Sequence, residues 1–343
     1  GSLAQLGDLL KPRREAVDGP VVYFVDHFFR DHELIGRLPM EKGDQLHFVD
    51  SSSEPEVTRI DAFKEAVSAA DSRTPCCVVG IGGGNALDTA KAVANLLTNP
   101  GKAEDYQGWE LVKNPAVYKI GIPTLSGTGS ECSRTCVLTN IPKNLKLGMN
   151  SDYTVYDQLL LDPDLLATVP RDQYFYTGID TFMHCVESLQ GSYRNAIIDA
   201  FSVRAVQLCE EIFLSDDMMS EENREKMMIA SYIGGMAAGN VGVIHPFSAG
   251  LGVVLHVAHG LGNCLALNVL GDIYPKEYKQ FRTMIERQGV NLPTGICKDL
   301  TEEQYEGLYR GCIVHEKPLT NALGPDFKQI LTRENLIERY KSI

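Results

Sequence analysis

The sequence predicts a two-domain protein: an α/β domain with a parallel, Rossmann-like sheet over residues 1–162, and an all-α domain over 163–343. In the first half, short β-branched apolar runs alternate with helical patterns, as in βαβ units whose strands are buried on both faces. Beyond Asp162, long helical patterns follow one another with little strand signal. The 343 residues suffice for two hydrophobic cores, and a hydrophobic content of 44% indicates a folded chain.

The individual elements follow from these patterns. Apolar runs predict strands at 21–25, 46–49, 76–81 and 117–122. Apolar periodicity predicts helices at 57–70 and 86–97 in the first domain, and at 173–190, 196–213, 221–238 and 301–312 in the second.

Composition limits the partners. With 32 Lys and Arg against 45 Asp and Glu, the net charge is −13, which argues against binding the phosphate backbone of nucleic acids. No apolar run approaches the ~18 residues of a membrane span, and the first residues lack the pattern of a signal peptide. Nine cysteines without a Cys-x-x-Cys pair predict reduced thiols. We therefore expect a cytoplasmic protein that binds a small molecule but neither nucleic acid nor membranes. We also expect a homodimer.

A glycine loop follows the third predicted strand. Gly82, Gly83 and Gly84 allow a sharp turn and the close approach of a ligand. Asn85 is the predicted N-cap of the next helix, and Asp88 is placed to complete a capping box. Free N–H groups and the helix dipole there favour a pyrophosphate. The loop lacks the Gly-x-Gly-x-x-Gly pattern, so a tight turn without a ligand is the alternative.

Two further features are typical of a nucleotide site at the ends of strands. The loop 123–131, rich in hydroxyls and glycines, follows the fourth predicted strand and is otherwise an ordinary polar loop. Asp26 ends the first strand, where a carboxylate binds a ribose 2′-hydroxyl and repels a 2′-phosphate. Asp26 therefore favours NAD over NADP, unless it is only a cap.

Histidines and an aspartate form a candidate metal site. Asp180 and His184 share one helix face at i and i+4, with Glu187 placed to orient the imidazole, although an Asp–His hydrogen bond alone explains the pair. His245 and His259 are fourteen residues apart, roughly 21 Å along a straight helix.

Both histidines can bind one ion only if the chain folds back between them, and Gly250 and Gly252 are the candidate bends. A proline after His245 predicts a helix start, and a glycine after His259 predicts a helix end. Pairing of His256 with His259 at i,i+3 needs no bend, and histidines without any metal are a further alternative. Spacing does not decide among them.

Four blocks give the chain a resemblance to the iron-containing (group III) alcohol dehydrogenase family, which has the dehydroquinate synthase-like fold. They are 82–91, 123–131, 162–184 and 245–260. The resemblance implies one Asp and three His as metal ligands, here Asp180, His184, His245 and His259. For the cofactor, it implies that Gly82 to Asn85, with Asp88, hold the pyrophosphate of NAD. Thr124, Ser126 and Thr128 would line the nicotinamide. Lys146 would lie near the ribose, and Asp26 would select against NADP.

One departure from the family concerns proton transfer. Many members carry a histidine where this chain has Ala249, so we predict that His256 takes the catalytic role, with simple contact to the substrate as the alternative. One oxygen and three nitrogens suit Fe(II) or Zn(II). The expected reaction is hydride transfer between an alcohol and NAD, with NADP less favoured. Ala249, His256 and the short chain are atypical of members that act on simple alcohols, and in these features the chain resembles a member that oxidises the terminal hydroxyl of a sugar acid, 3-deoxy-octulosonate. The resemblance implies a substrate of that kind.

Two alternatives to this reaction remain. One is a lyase of the dehydroquinate synthase type that uses NAD and metal. That lyase would need several basic residues to hold a phosphate, and they are sparse between residues 170 and 265. The other is a binder of metal or nucleotide without enzymatic activity.

Overall fold

A computed structural model describes all residues, 1–343, and their contacts divide the chain into two units. The α/β unit comprises Gly1–Leu125 and Ser130–Leu166. The helical unit comprises Ser126–Gly129 and Ala167–Ile343. None of the helices combines the length and the apolarity needed to cross a bilayer.

The α/β unit contains the parallel sheet that the sequence predicts. Its helices and strands are α1 (Leu6–Ala16), β1 (Val21–Asp26), β2 (Gln45–Val49), α2 (Val57–Ala70), β3 (Cys77–Gly82), α3 (Gly84–Leu96), β4 (Gly108–Trp109), β5 (Lys119–Pro123), β6 (Thr135–Asn140), β7 (Leu145–Asn150) and β8 (Gln158–Leu159). Strands β2-β1-β3-β5-β8 form one sheet in that order, with every neighbouring pair parallel. Both faces are covered, because alternate β1 residues such as Tyr23 and Phe24 belong to separate apolar cores.

The strand order reverses between β1 and β3. From β1 the chain adds β2 on one side and β3 on the other, and ligands of open α/β sheets bind at the carboxyl ends of such a pair. Asp26 ends β1 and Gly82 ends β3, one residue beyond the paired Val25 and Ile81. The reversal therefore brings two of the predicted cofactor residues together.

A second sheet, in the order β4-β7-β6, was not predicted. Strands β6 and β7 form an antiparallel hairpin, and β4 adds to β7 over two residues. Along β6 buried and partly exposed residues alternate, so the strand has no continuous apolar run like those of the main sheet.

The helical unit contains only helices and their connections. They are α4 (Arg171–Gln190), α5 (Ala196–Phe213), α6 (Glu221–Gly235), α7 (Ile244–Leu255), α8 (His259–Val269), α9 (Pro275–Gln288), α10 (Glu302–Ile313), α11 (Glu316–Leu323), α12 (Phe327–Ile330) and α13 (Arg333–Lys341), together with short 3-10 turns. The prediction of an all-α second domain is confirmed, with α6 ending three residues earlier than expected.

Candidate active site

Four potential metal ligands converge inside the helical unit. Asp180 and His184 lie on α4, His245 is the second residue of α7, and His259 is the first residue of α8. One donor atom from each lies within 4.8 Å of the other three. The four side chains are therefore close enough to share one ion.

Between His245 and His259 the chain reverses direction, and the turn is at His256. This residue ends α7 in the left-handed conformation, with φ 55° and ψ 30°, and α8 begins three residues later. The predicted bend at Gly250 or Gly252 is wrong, because both lie inside α7. A Cβ on Gly250 would lie 2.7 Å from the Leu308 carbonyl oxygen of α10, so the glycine serves close helix packing. His259 begins a helix and does not end one, which corrects the expectation from the glycine that follows it.

Distances within the cluster centre on the Asp180 carboxylate. Its Oδ1 lies 3.1 Å from His245 Nε2 and 3.8 Å from His184 Nε2, and its Oδ2 lies 3.6 Å from His259 Nε2. The rings of His184 and His245 stack with centroids 4.4 Å apart.

Some donor atoms of the cluster lack hydrogen bonds. Asp180 is fully buried, yet its Oδ2 has no hydrogen-bond partner, and neither does Nδ1 of the buried His184. A buried carboxylate oxygen without a partner is unfavourable, and a cation beside it removes the penalty. One carboxylate and three imidazoles without a thiolate suit Fe(II) or Zn(II), so the residues present fit the implied metal.

The cluster perturbs its own protonation. Burial tends to raise the pKa of Asp180, but His184, His259 and His245 together hold it well below its usual range. Burial lowers the pKa of His184 to about 4, against the attraction of Asp180. Burial also disfavours charge on His245, but Glu187 and Asp180 raise its pKa to about 9. Asp180 as an anion and His184 as a neutral imidazole are already in the forms that bind a metal.

The carboxylate of Glu187 binds the ring nitrogen of His245 that faces away from Asp180. Its Oε2 is hydrogen-bonded to His245 Nδ1, and its Oε1 accepts the backbone N–H of Ile244 at 2.6 Å and the Tyr274 hydroxyl at 3.2 Å. Tyr274 OH in turn accepts the N–H of Val243 at 3.0 Å. Sequence spacing indicated Glu187 as an orienting residue, but the contact is with His245 and not with His184 on its own helix. Tyr274 was missed, since nothing local in the sequence connects it with α4.

A second residue near the cluster was also missed by sequence reasoning. Asn263 donates from Nδ2 to Asp180 Oδ1 at 2.6 Å. Its only sequence signal is the position four residues after His259 on α8, which places both on one helix face.

His256 lies outside the four-residue cluster. Its side chain is exposed at the turn between α7 and α8. Ala249, four residues after His245, is buried inside α7. The structure therefore brings together Asp180, His184, His245 and His259 without using the alternative pairing of His256 with His259.

The glycine loop opens α3, but its cap differs from the prediction. The N-cap is Gly83, without a side-chain hydrogen bond, so Asn85 is not the cap and Asp88 completes no capping box. The helix starts one residue before Asn85, whose Nδ2 instead donates to the carbonyls of Asp50 and Ser53. Gly82 has φ 152°, and a Cβ there would lie 2.6 Å from Ala86 Cβ and 2.9 Å from Asp26 Cβ. Glycine is thus required at this turn.

The Asp88 side chain does not cap α3 but forms hydrogen bonds to a neighbouring segment of the chain. Its carboxylate accepts the Ser130 hydroxyl and the N–H of Val137, the latter at 2.8 Å. Burial raises the pKa of Asp88, while Lys91, Ser130 and Val137 oppose that shift. Lys91, fully buried, donates to the Ser130 carbonyl at 2.8 Å. These contacts fix the end of the hydroxyl-rich loop and strand β6.

The loop after β2 contacts three of the predicted cofactor residues. Ser51 donates its hydroxyl to Asp26 Oδ1 at 2.9 Å, and Asn85 donates to Ser53 as described. Lys146 forms an ion pair with Glu54 at 3.0 Å and is only 6% exposed. Asp26 also caps the next turn, because Oδ1 accepts the Phe28 N–H at 3.0 Å. The structure therefore gathers Asp26, Asn85 and Lys146 around residues 50–54 of the α/β unit.

The hydroxyl-rich loop is divided between the units. Thr124 is buried in the α/β unit, whereas Ser126 and Thr128 belong to the helical unit. The Ser126 hydroxyl is buried without a hydrogen-bond partner, which suits a residue that contacts a ligand. Between them Gly127 lies against α4, since a Cβ there would meet the Thr177 carbonyl oxygen at 1.7 Å.

Comparison with known protein families decides the relationship. One model, "Iron-containing alcohol dehydrogenase", matches residues 1–163, and a second, "Fe-containing alcohol dehydrogenase family, C-terminal", matches 174–307. The chain belongs to the iron-containing alcohol dehydrogenase family. Together the two models leave only 164–173 and 308–343 of this family member unmatched.

Curated relatives of this family member are named dehydrogenases and reductases. The chain is 34% identical to a sulfoacetaldehyde reductase of Bilophila wadsworthia over 62% of its own length and 56% of that protein. It is 32% identical to an NAD-dependent methanol dehydrogenase of Bacillus methanolicus over 60% of its length and 53% of the relative. Each match thus spans little more than half of the relative. One relative is named as a reductase and the other as a dehydrogenase, and neither is named as a lyase of the dehydroquinate synthase type.

A solved structure confirms the fold of this family member. A sulfoacetaldehyde reductase from Bifidobacterium kashiwanohense, solved in complex with NAD+, superimposes with a TM-score of 0.78 at 24% identity. The match covers 99% of this chain and 94% of that one. The α/β and helical architecture expected from the resemblance is therefore the family's architecture.

Proposed function

We propose that this protein is an NAD-dependent alcohol dehydrogenase that uses one divalent metal ion, Fe(II) or Zn(II). The convergence of donor atoms from Asp180, His184, His245 and His259 within 4.8 Å carries the proposal. Membership of the iron-containing alcohol dehydrogenase family supports it. When bound, the metal supplies a Lewis acid for the substrate hydroxyl, and the nicotinamide supplies the hydride acceptor.

The protein's own residues prepare both sites. Asp180 contributes the negative charge of the metal site, and His184 a neutral imidazole kept so by burial. Gly82, Gly83 and the amino terminus of α3 offer backbone N–H groups to a pyrophosphate. Asp26 accepts a ribose hydroxyl and disfavours the 2′-phosphate of NADP.

Proton release is assigned to His256. Oxidation of an alcohol frees its hydroxyl proton, which has to reach solvent. His256 is exposed three residues before His259, and histidine is the side chain that most often transfers protons in enzymes. Ala249 has no group that transfers protons, so α7 offers no alternative at that position.

The substrate is an alcohol, and we include the terminal hydroxyl of a sugar acid such as 3-deoxy-octulosonate. The small side chain of Ala249 at the position where many family members carry a histidine favours a bulkier substrate. The carboxylate of a sugar acid would need a basic partner, and three basic side chains that could serve are already paired. Arg134, Lys143 and Arg194 all form ion pairs with acidic side chains. Recognition of a sugar acid would therefore have to use other groups.

The test combines metal analysis with cofactor absorbance. Protein purified with Fe(II) or Zn(II) is assayed for NADH formation with simple alcohols, diols and sugar acids. His184→Ala is expected to lose the bound metal and the turnover while keeping its NAD affinity, because His184 lies in the helical unit and the glycine loop in the α/β unit. Full turnover by metal-free protein would refute the proposal.

A further inference from the structure

Asn263 places an amide directly against two of the four proposed metal ligands. Its side chain is fully buried, and Nδ2 donates to Asp180 Oδ1 at 2.6 Å. The same Nδ2 lies 3.3 Å from Nε2 of His259. The other amide atom, Oδ1, is buried without a hydrogen-bond partner. A buried carbonyl oxygen without a hydrogen-bond partner lowers stability.

We propose that Asn263 is the positioning residue that orients the Asp180 carboxylate and His259 for the metal, an inference that rests on the proposed function. The direction of the amide is fixed by its neighbours. Reversing it would place Oδ1 against Asp180 Oδ1, and two acceptors at that distance repel each other. The NH2 group therefore faces the cluster.

The contact with Asp180 determines which oxygen is available. Asp180 Oδ1 lies within hydrogen-bond distance of both Asn263 Nδ2 and His245 Nε2. His245 Nε2 cannot donate a proton and bind a metal at once. After metal binding, Asn263 is the donor that still holds Oδ1. The carboxylate consequently stays oriented with Oδ2, the oxygen without a hydrogen bond, free to serve as a ligand.

The contact with His259 selects a tautomer. An amide NH2 group has donors and no lone pair to accept a proton, so Nε2 of His259 faces it as an acceptor. A lone pair on Nε2 is also what a metal requires of an imidazole. Asn263 thus favours the metal-binding form of His259 before any metal arrives, and it does so from the same face of α8.

The experiment compares Asn263 with a matched amide elsewhere in the chain. Asn95 on α3 is also fully buried, donates from Nδ2 to the Thr154 hydroxyl at 2.9 Å, and has an Oδ1 without a partner. Asn263→Leu and Asn95→Leu are made in the full chain, together with the smaller Asn263→Ala and Asn95→Ala in case the leucine does not fit. The Zn(II) dissociation constant is measured by chelator competition, the visible spectrum after Co(II) loading reports the ligand geometry, and NAD affinity reports folding.

We expect either Asn263 variant to bind Zn(II) about 10- to 100-fold more weakly, with a changed Co(II) spectrum and unchanged NAD affinity. The Asn95 variants should keep the wild-type Zn(II) affinity even if they lose stability. Zn(II) affinity within twofold of wild type in the Asn263 variants, or an equal loss in the Asn95 variants, overturns the inference. Failure of the wild type itself to bind any divalent metal overturns the proposed function and with it the role of Asn263.

Discussion

Glu187 and His245 are hydrogen-bonded across two helices, with the Glu187 Oε2 on α4 against the His245 Nδ1 on α7. The second oxygen of Glu187 accepts the N–H of Ile244 at 2.6 Å, so one carboxylate holds both the side chain of His245 and the first turn of α7. Such an arrangement places the imidazole proton on Nδ1 and leaves Nε2, which faces Asp180, for a metal.

Glu187→Gln is the first prediction. The glutamine oxygen can still accept the Ile244 N–H, but its NH2 group would then donate to His245 Nδ1 and place the imidazole proton on Nε2. Because a protonated Nε2 cannot bind a metal, we expect the Zn(II) dissociation constant to rise about 10- to 100-fold. Chelator competition measures it. Tyr274→Phe is the control, since it removes one contact of Glu187 at 3.2 Å and leaves the carboxylate in place. Equal metal affinity in Glu187→Gln and wild type would contradict the role of Glu187 in placing the His245 proton on Nδ1.

The second prediction concerns the pH dependence of stability in the metal-free protein. The pKa of His245 rises from 6.5 to about 9 on folding. Between these two pH values the folded protein therefore keeps a proton on His245 that the unfolded chain has lost. A raised pKa gives stabilisation that is complete below about pH 6.5 and lost as the pH rises through about 9, on the order of 3 kcal/mol. Burial of His184 acts in the opposite sense, and its contribution is lost as the pH falls through about 4.

Urea unfolding of chelator-treated protein between pH 6 and 9.5 tests this expectation. The free energy of unfolding should fall across the alkaline part of the range in the wild type and stay flatter in Glu187→Gln, which lacks the carboxylate that raises the pKa of His245. Metal loading should also flatten the curve, because a ligated imidazole no longer takes up the proton. A wild-type curve that rises with pH over this interval would show that the sign is wrong.

Gly82 and Gly83 give a matched pair for the third prediction. A Cβ on Gly82 would lie 2.6 Å from Ala86 Cβ at a φ of 152°, whereas a Cβ on Gly83 would come no closer than 3.4 Å to Leu125. Gly82→Ala is therefore expected to destabilise the fold by about 1–3 kcal/mol. Gly83→Ala should keep wild-type stability but lose NAD affinity, since its methyl group occupies the approach of the pyrophosphate. Thermal unfolding and NAD titration separate the two, and unaltered NAD affinity in Gly83→Ala would place the cofactor elsewhere.

The sequence was most informative where local spacing decides the geometry. Asp180 and His184 share a helix face whatever the fold, and buried strands such as β3 are marked by continuous apolar runs. The return of the chain to His259 could not be predicted, because it depends on a left-handed turn at the single residue His256, and only a few per cent of non-glycine residues adopt that conformation. Asn263 was equally hidden, since it lies 83 residues from its partner Asp180 in the sequence and on a different helix. Asn85 showed that a good capping residue can be used for a tertiary contact instead.

The fourth prediction separates the two roles of Asp26. Its Oδ1 accepts the N–H of Phe28 and the hydroxyl of Ser51, so Asp26→Gly removes a cap as well as a charge. Asp26→Asn keeps an acceptor oxygen at the same place and removes only the charge. A unit charge repels another 4 Å away by about 1 kcal/mol even in water. We therefore expect Asp26→Asn to raise the ratio of kcat/KM for NADP over NAD at least about fivefold, the equivalent of that energy.

Asp26→Gly should shift the same ratio in the same direction, with an additional loss of stability of about 1 kcal/mol from the missing cap. Asp31→Asn, at an exposed aspartate five residues further along, controls for a general change in surface charge and should leave the ratio unaltered. If Asp26→Asn and Asp31→Asn both kept the wild-type ratio while Asp26→Gly lost stability, the carboxylate would be a helix cap alone. Selection against the 2′-phosphate would then have to come from another group near the end of β1. An acidic side chain at the end of the neighbouring strand is Asp50, directly after β2.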